Sequence, residues 1–312
     1  MTAQPGDRQV ACAALTFLAQ AADPLLGGLL RVLDPTDVVA GIRSGTLPAA
    51  AAAALDAVQQ ARVRPALARW QARLARIPAD AGLTRHAANG VHLVCPGDPG
   101  WPSQLDDLGS ARPYALWVRG TTGLQSACAQ PVALVGARAA TSYGTHICTE
   151  ITTALSASGH TVVSGGAFGI DSRAHSAALA AGGLTIAVLA CGPDVPYPSA
   201  HRTLLDAIAA QGAVISEWPP GTRPTQSQFL LRNRIIAALG RGTVIIEAAV
   251  RSGTLSTARH AISLGRPLMA VPGPVTSAMS AACHALIRDQ GATLVTSAAD
   301  IVTCLSSVRR SS

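Results

Sequence analysis

The chain has 312 residues, of which 49% are hydrophobic and 13% charged, a composition typical of well-buried globular domains. All 24 basic residues are Arg, and the absence of Lys excludes a Walker P-loop and Schiff-base chemistry. The net charge of +7 favours an anionic partner such as nucleic acid.

The seven cysteines are far apart in sequence and never form a C-x-x-C pair. This spacing predicts reduced, mostly buried thiols and neither a disulfide framework nor a metal site. The sequence has no signal-type leader and no apolar run of membrane-spanning length. We therefore expect a soluble cytoplasmic protein without a membrane partner.

The first part of the chain is Ala- and Leu-rich with helical spacing, and residues 1–78 are predicted to form a small helical domain. The segment "RSGTLP" (43–48) is interpreted as a helix connector, with a turn that touches DNA backbone as the alternative. Residues 79–130 mix short strands with turns and are predicted to be a connecting segment.

From residue 131 to about 302, apolar runs alternate with helical stretches, which is typical of a parallel sheet covered on both faces. The predicted fold class is α/β, a Rossmann-like doubly wound, mostly parallel sheet with the small helical domain before it. The predicted strands are 132–136, 161–165, 185–190, 213–217, 243–247 and 267–271. The predicted helices are 142–157, 170–182, 199–210, 232–239, 254–264 and 279–289.

In such a sheet, ligands bind beyond the carboxyl ends of the strands. The first strand leads into "VGARAATSYG" (135–144), where Gly136 allows a sharp turn. Arg138 on this turn is either a phosphate contact or part of a surface salt bridge. The turn is no G-x-G-x-x-G fingerprint and no acid ends the second strand, so an NAD site, or another bound cofactor, is not expected.

The second strand leads into "SGGAFGID" (164–171), a glycine-rich turn at the start of a helix. The backbone of Gly165, Gly166, Ala167, Phe168 and Gly169 is a candidate anion-binding site, because unpaired N–H groups and the positive end of the helix dipole meet there. Asp171 and His175 are interpreted as a local hydrogen-bonded pair, with an acid–base pair as the alternative.

Glu217 and Glu247 each follow an apolar run, although the chain has only three Glu residues. These strand-end acids are candidates to accept a ribose hydroxyl, a base amino group or a neighbouring Arg. An internal ion pair that holds the loops is the alternative interpretation.

The stretch from Arg223 to Arg259 contains six Arg and one Glu. The segment Arg232, Asn233 and Arg234 is predicted to open a helix within it. Because guanidinium groups bind phosphates and stack on bases, this basic stretch indicates nucleic-acid binding. Trp218 and Phe229 are candidate stacking aromatics. Ser252, Gly253 and Thr254 form a second candidate anion site at a helix start.

Taken in order, these motifs resemble the DNA-processing protein A family (DprA, also called Smf). The segments that carry the resemblance lie between about residues 90 and 302: "PGWPSQLDDLGSARPYALWVRG", "VGARAATSYG", "SGGAFGIDSRAH", "AVLACGPDVPYP", "SEWPPGT", "FLLRNRIIA", "EAAVRSGTLSTARHA", "AVPGPV" and "LIRDQGATLVTSAADIV".

The resemblance implies a homodimeric, non-enzymatic protein that binds single-stranded DNA in natural transformation. Such proteins protect incoming strands and help to load the RecA recombinase, displacing single-strand-binding protein. The residues that would contact DNA are Arg138, Gly165 to Gly169, Arg232 to Arg234 and Ser252 to Thr254. Arg232→Ala or Arg234→Ala is then expected to weaken binding to an oligo-dT strand and to flatten its salt dependence.

Two departures from the family pattern affect these expectations. Phe168 stands where many members carry a basic residue, and it either stacks on a base or packs inward. Residues 303–312 are predicted to be a tail, without the C-terminal winged-helix domain of many members.

An enzyme is the competing interpretation, because the same superfamily contains phosphoribohydrolases that cleave nucleoside monophosphates. Their catalytic Glu position corresponds here to Thr257, so the carboxylate for that reaction is missing. A nucleotide-sensing module of the same fold is the third possibility, and the Arg cluster argues against it.

Overall fold

The fold is taken from a computed structural model that describes residues 6–48, 51, 53 and 55–307. Within these residues the chain divides into two compact units. The first comprises residues 6–119 with two short segments, 191–194 and 216–223, and the second comprises the remainder from residue 120. Residues 308–312 of the predicted tail lie outside the described residues, and residues 303–307 are the last turns of a helix.

The first unit is mainly helical. Its helices are α1 (Asp7–Leu18), α2 (Pro24–Leu29), α3 (Pro35–Ser44), α4 (Ala57–Leu74) and α5 (Leu83–Ala88). Three of these helices have an Asp as the N-cap residue. Asp23, Asp34 and Asp56 each accept hydrogen bonds from backbone N–H groups of the first turn. The helices pack around Leu15, Leu26 and other fully buried apolar side chains.

The first unit also holds an antiparallel strand pair. Strand β1 (Val91–Val94) pairs with β2 (Leu116–Gly120), with Val91 opposite Arg119. Trp117 of β2 is fully buried and its indole N–H donates to the Thr16 hydroxyl of α1 at 3.2 Å. This bond satisfies the one polar atom of a large core side chain.

The second unit is the predicted parallel sheet. Its strands lie in the order β6–β5–β4–β3–β7–β8–β9, and all neighbouring pairs are parallel. The strands are β3 (Pro131–Val135), β4 (Thr161–Ser164), β5 (Thr185–Val188), β6 (Ala213–Ser216), β7 (Thr243–Ile245), β8 (Leu268–Ala270) and β9 (Thr293–Leu294).

Helices cover the sheet, and the doubly wound, Rossmann-like fold class predicted from the sequence is confirmed. The helices of this unit are α6 (Leu124–Ala127), α7 (Ser142–Ala157), α8 (Ile170–Ala180), α9 (Arg202–Gln211), α10 (Gln226–Leu239), α11 (Thr254–Ser263), α12 (Ala281–Gln290) and α13 (Ala298–Ser307). Strands β3 to β8 are buried along their whole length, which explains their unbroken apolar runs.

Three predicted helix starts are wrong, and the smallest error is that of α12, which begins at Ala281 and not at residue 279. Helix α10 begins at Gln226 and not at residue 232, because Thr225 and Gln228 form a capping box there. The segment predicted as helix from residue 199 begins with a 3-10 turn, Ser199–His201, before α9 starts at Arg202.

The strand order identifies the edge of the sheet at which a ligand site is expected. From β3 the chain moves to β4, β5 and β6 on one side, and later to β7, β8 and β9 on the other. The carboxyl ends of β3, β4 and β7 therefore meet where the winding reverses, which is where doubly wound folds bind their ligands.

Among the residues that the structure describes, no helix combines the length and the apolar character needed to span a membrane. All seven cysteines are free thiols and six of them are buried, as their spacing in the sequence predicts.

Candidate nucleic-acid interface

A cavity of about 720 Å³ lies at the reversal point of the second unit. Its walls come from the turns after β3, β4 and β7 and from the first half of α10. The residues that line it include Arg138, Tyr197, Phe229, Asn233, Ser252 and Thr254. Four predicted contact segments thus meet at one place, as the common edge of parallel strands requires.

Arg138 is the exposed cation of this cavity. It stands on the turn after β3, and its guanidinium carbon lies 5.2 Å from the ring centroid of Phe229. Phe229 in turn packs against Tyr197, with centroids 5.5 Å apart. A guanidinium over an aromatic face is held by the ring quadrupole while its N–H groups stay free for an anion. The arrangement favours the phosphate-contact interpretation of Arg138, since none of its described contacts is an ion pair.

Phe168 points outward. Its side chain is 49% exposed and meets the His201 ring edge-on, with centroids 4.6 Å apart. Phe168, Tyr197, Phe229 and Arg138 border a second depression of about 370 Å³. Of the two sequence interpretations of Phe168, inward packing is therefore wrong, and one face of an aromatic ring is available to a ligand.

The glycine-rich turn is closed by a carboxylate of its own chain. The Ala167 N–H faces the Asp171 carboxylate at 3.4 Å, and the Gly136 backbone and the Ser164 side chain lie beside it, although the Ser164 hydroxyl donates to the Leu134 carbonyl at 2.6 Å. Burial raises the pKa of Asp171, while nearby Arg232 and these neighbours oppose the rise. Asp171 is thus the internal anion of the turn. Its carboxylate faces the Ala167 N–H, which the sequence analysis assigned to a bound ligand.

Two of the turn's glycines are required by packing. Gly169 has φ +76° and lies against the backbone carbonyls of Ala137 and Arg138, where a Cβ would overlap them. A Cβ on Gly165 would overlap the guanidinium of Arg232. The close backbone approach predicted for this turn is therefore made first to the chain's own residues.

The predicted hydrogen bond between Asp171 and His175 is wrong. His175 is fully buried, and its Nδ1 pairs with the Thr185 hydroxyl at 2.7 Å. Its Nε2 has no hydrogen-bond partner among the described residues. Burial, reinforced by Arg232 and His201, lowers the pKa of His175 to about 3. The imidazole is therefore neutral over the physiological range.

Arg232, Asn233 and Arg234 lie in the middle of α10 and are buried, Arg232 at 4% exposure and Arg234 at 3%. Arg232 donates from Nη1 to the carbonyl oxygens of Gly165, at 2.7 Å, and Val188. Asn233 donates to the Gly253 carbonyl at 3.3 Å, and Arg234 to that of Leu231 at 2.9 Å. The bonds of Arg232 and Asn233 hold the loops after β4, β5 and β7, whereas the bond of Arg234 lies within α10, so these side chains act first as internal supports of the site.

The turn Ser252–Thr254 is internally ordered. The Thr254 N–H donates to the Ser252 hydroxyl at 3.2 Å, and the Thr254 hydroxyl donates to the Gly136 carbonyl at 3.0 Å. Gly253 is exposed, and no atom lies within 4 Å of where its Cβ would be. The turn joins the loops after β3 and β7 and leaves Gly253 open to a ligand.

The strand-end acids are internal groups. Glu247 is 1% exposed and accepts from both the N–H and the hydroxyl of Thr141, at 2.9 and 2.6 Å. Its oxygens are thereby used to fix the start of α7, so the expected ribose, base or Arg partner is replaced by Thr141. Glu217 and Trp218 are buried in the first unit, and Trp218 at 7% exposure is no stacking surface.

Sequence reasoning missed Tyr197, which is 43% exposed beside Phe229. It also missed Arg173, an exposed cation that borders a shallow depression together with Arg138. The signal for Tyr197 was its rarity, since the chain has only three Tyr. Nothing in the local sequence of α8 distinguished Arg173 from any other surface Arg.

The chain is similar in sequence to a family of DNA-processing proteins. The family described as DNA recombination-mediator protein A matches residues 92–306. A putative DNA processing protein DprA of Mycobacterium tuberculosis is 47% identical over 223 residues, 68% of this chain and 57% of that protein. DNA processing protein DprA of Streptococcus pneumoniae is 41% identical over 205 residues, 66% of this chain and 71% of that protein. The chain thus spans little more than half the length of the mycobacterial relative.

Two solved structures are similar over much of the chain. The X-ray structure of DNA processing protein A from Streptococcus pneumoniae has a TM-score of 0.74 and 30% identity, covering 96% of this chain and 98% of that one. DNA processing protein A from Helicobacter pylori, described for its single-stranded DNA binding mode, has a TM-score of 0.60 and 28% identity, covering 66% and 93%. With the family matched over most of its length, the chain belongs to the DNA recombination-mediator protein A family.

Proposed function

We propose that the chain binds single-stranded DNA at the carboxyl edge of its parallel sheet, within residues 131–302. The observation that carries this proposal is the exposed guanidinium of Arg138 over Phe229, beside the exposed ring of Phe168. Single strands are bound by cations that follow the backbone and by aromatic faces that stack on bases. Both elements border the same depression of about 370 Å³.

Each element has a defined role in the proposal. Arg138 contacts a phosphate, and Phe168 and Tyr197 stack on neighbouring bases. This stacking does not depend on sequence, because every base presents an aromatic face. Gly253 offers an unobstructed backbone approach to the strand. The base of the site is formed by the backbone of Gly165 to Gly169 and by the helix segment Arg232 to Arg234.

The relatives of the chain support single-stranded DNA as the ligand. The Helicobacter pylori relative is described as a single-stranded DNA-binding protein, and the matched family is one of recombination mediators. We extend the proposal to protection of incoming DNA in natural transformation, to delivery of the strand to RecA in competition with single-strand-binding protein, and to action as a homodimer. In this scheme residues 1–78 act as a separate domain.

Hydrolysis of a nucleoside monophosphate is the alternative function. Thr257, at the position of the catalytic Glu, is 1% exposed, and Asp171 is the acid that borders the cavity. Since the Asp171 carboxylate is 6% exposed and faces the Ala167 N–H, it is poorly placed to activate a water molecule.

The decisive experiment combines binding and turnover. Affinity for an oligo-dT strand is measured over a range of salt concentrations, and nucleoside monophosphates are incubated with the same preparation. We expect tight, salt-dependent binding of the strand and no release of free base. Release of base that Asp171→Asn abolishes would instead establish the alternative function.

A further inference from the structure

Helix α4 of the first unit carries an unpaired row of positive charge. Residues 57–79 contain five Arg and no Asp or Glu. Arg62, Arg69, Arg73 and Arg76 follow at intervals of seven, four and three residues, which is the spacing of one helix face. We call these four residues the arginine row.

The rest of the helix explains why this face is outward. Leu67 and Trp70 are 5% and 2% exposed and pack into the core of the unit. The helix start is fixed by a capping box between Asp56 and Gln59. Pro65 lies inside this helix and cannot donate a backbone hydrogen bond, but the buried side chains before and after the arginine residues still give the row a defined outward orientation.

The charges of the row are not neutralised locally. Among the described residues, Arg62, Arg69 and Arg76 are exposed and take part in no ion pair, whereas Arg8 and Arg112 each pair with an Asp. Arg73 donates to the Leu18 carbonyl, which anchors it without cancelling its charge. Gln71 donates to the Arg43 carbonyl at 2.9 Å, so a further cation is tethered beside the helix.

We infer that the arginine row is a second DNA-binding surface, which contacts the phosphate backbone of double-stranded DNA without reading its sequence. The row spans about 21 Å from Arg62 to Arg76 at 1.5 Å per residue, or roughly six base pairs of duplex. Guanidinium groups along such a line match a phosphate backbone in charge and in hydrogen-bond geometry.

The composition of the face selects the duplex over a single strand. Trp70, the aromatic residue of α4, is buried, and the exposed positions between the Arg residues are mainly Ala and Gln. No ring is offered for a base to stack on, so the contact is limited to phosphates on the outside of a stacked helix. A membrane surface is disfavoured because the apolar side of α4 already faces the core.

The test compares the full chain with the triple variant R62Q/R69Q/R76Q, which keeps good helix formers at exposed positions. A duplex of about 20 base pairs is titrated from low to physiological salt. We expect the variant to bind at least ~10-fold more weakly at low salt and to lose about 2.7 from the slope of log affinity against log salt. Its affinity for oligo-dT should change by about threefold or less, because stacking at the separate site sets it.

The matched control is R31Q/R64Q/R288Q, which removes the same net charge from exposed positions outside the row. Equal losses in both variants would reduce the effect to net charge and overturn the inference. It is also overturned if the parent does not bind duplex at low salt, or binds anionic vesicles instead. Circular dichroism checks folding, and a single R69Q variant, with an expected slope change of about 0.9, carries the test should the triple variant unfold. Failure of oligo-dT binding by the parent would count against the proposed function alone.

Discussion

Arg232 and Gly165 fit together as a single structural element. The guanidinium of Arg232 donates to the Gly165 carbonyl at 2.7 Å and occupies the space where a Cβ of residue 165 would lie. The same group donates to the Val188 carbonyl and lowers the cost of burying the Asp171 carboxylate. One buried cation thereby joins the carboxyl ends of β4 and β5 to helix α10.

Replacing Arg232 by Ala is expected to destabilise the protein. The change leaves Asp171 as a buried charge without its nearby cation and frees two carbonyls, which costs on the order of 3–5 kcal/mol. Denaturant unfolding measures it directly. Arg288→Ala is the control, because that side chain is exposed and its ion-pair partner among the described residues is its neighbour Asp289. An Arg232→Ala protein of unchanged stability with weakened DNA binding would restore the direct contact that the sequence suggested.

Arg138→Ala should weaken binding of single-stranded DNA without lowering stability. The side chain is exposed, so its loss removes one phosphate contact and about 0.7 from the salt slope. Arg138→Lys should keep the salt slope but lose affinity, since an ammonium has neither the planar fork nor the stacking face of Arg over Phe229. Fluorescence anisotropy with labelled oligo-dT tests both variants. An unchanged slope in Arg138→Ala would place the phosphates elsewhere.

Phe168→Ala should weaken binding with the salt slope intact. Stacking on one base contributes roughly 1–3 kcal/mol, so a five- to 150-fold loss is expected. Phe168→Tyr keeps the aromatic face and should bind like the parent. If Phe168→Ala binds normally while Tyr197→Ala does not, the bases follow the other side of the depression.

His175 gives the stability a specific dependence on pH. In the unfolded chain the imidazole takes up a proton below about pH 6.5, whereas in the folded protein it does so only near pH 3. The unfolded state therefore binds more protons in this window, and the free energy of unfolding falls by up to ~1.4 kcal/mol per pH unit on acidification. Above pH 6.5 the group has no effect on the pH dependence.

His175→Gln should flatten this part of the stability profile. Asp171 acts in the opposite direction, because a carboxyl with a raised pKa is protonated earlier in the folded state, but it is present in both proteins. The difference between the two profiles, measured by thermal unfolding from pH 7 to 4, isolates the imidazole. Parallel profiles would contradict the assignment.

The periodic signals of the sequence predict six of the seven parallel strands, and they miss β9 because it is a two-residue exposed strand without an apolar run. Buried parallel strands read as unbroken apolar runs, and Ser142–Ala157 was bounded correctly because Thr141 caps its start. The sequence predicts the start of helix α10 too late because the first turn, "QSQFLL", lacks a clear apolar face, and the capping box at Thr225 is the one local signal of the true start.

The sequence predicts that the candidate residues gather at one edge of the sheet, and the structure brings many of them to one cavity there, but several side chains have an exposure that the sequence does not predict. An Arg in a basic stretch reads as a surface charge, and only the tertiary structure shows that Gly165 and Val188 supply acceptors for Arg232 in the interior. Likewise, Glu247 reads as a free strand-end acid until Thr141, 106 residues earlier, is seen to use both of its oxygens. Long-range partners of this kind leave no local pattern.

The bond between Glu247 and Thr141 has a consequence for the thermodynamics of ligand capture. It ties the turn that carries Arg138 to the end of β7, and Gly144 lets α7 lie directly against the carboxylate. The backbone of that turn is thus ordered when the protein folds, and its entropy is not lost again when a strand arrives. Binding at this edge should therefore have the small heat-capacity change of rigid partners, which calorimetry distinguishes from the large negative change of folding coupled to binding.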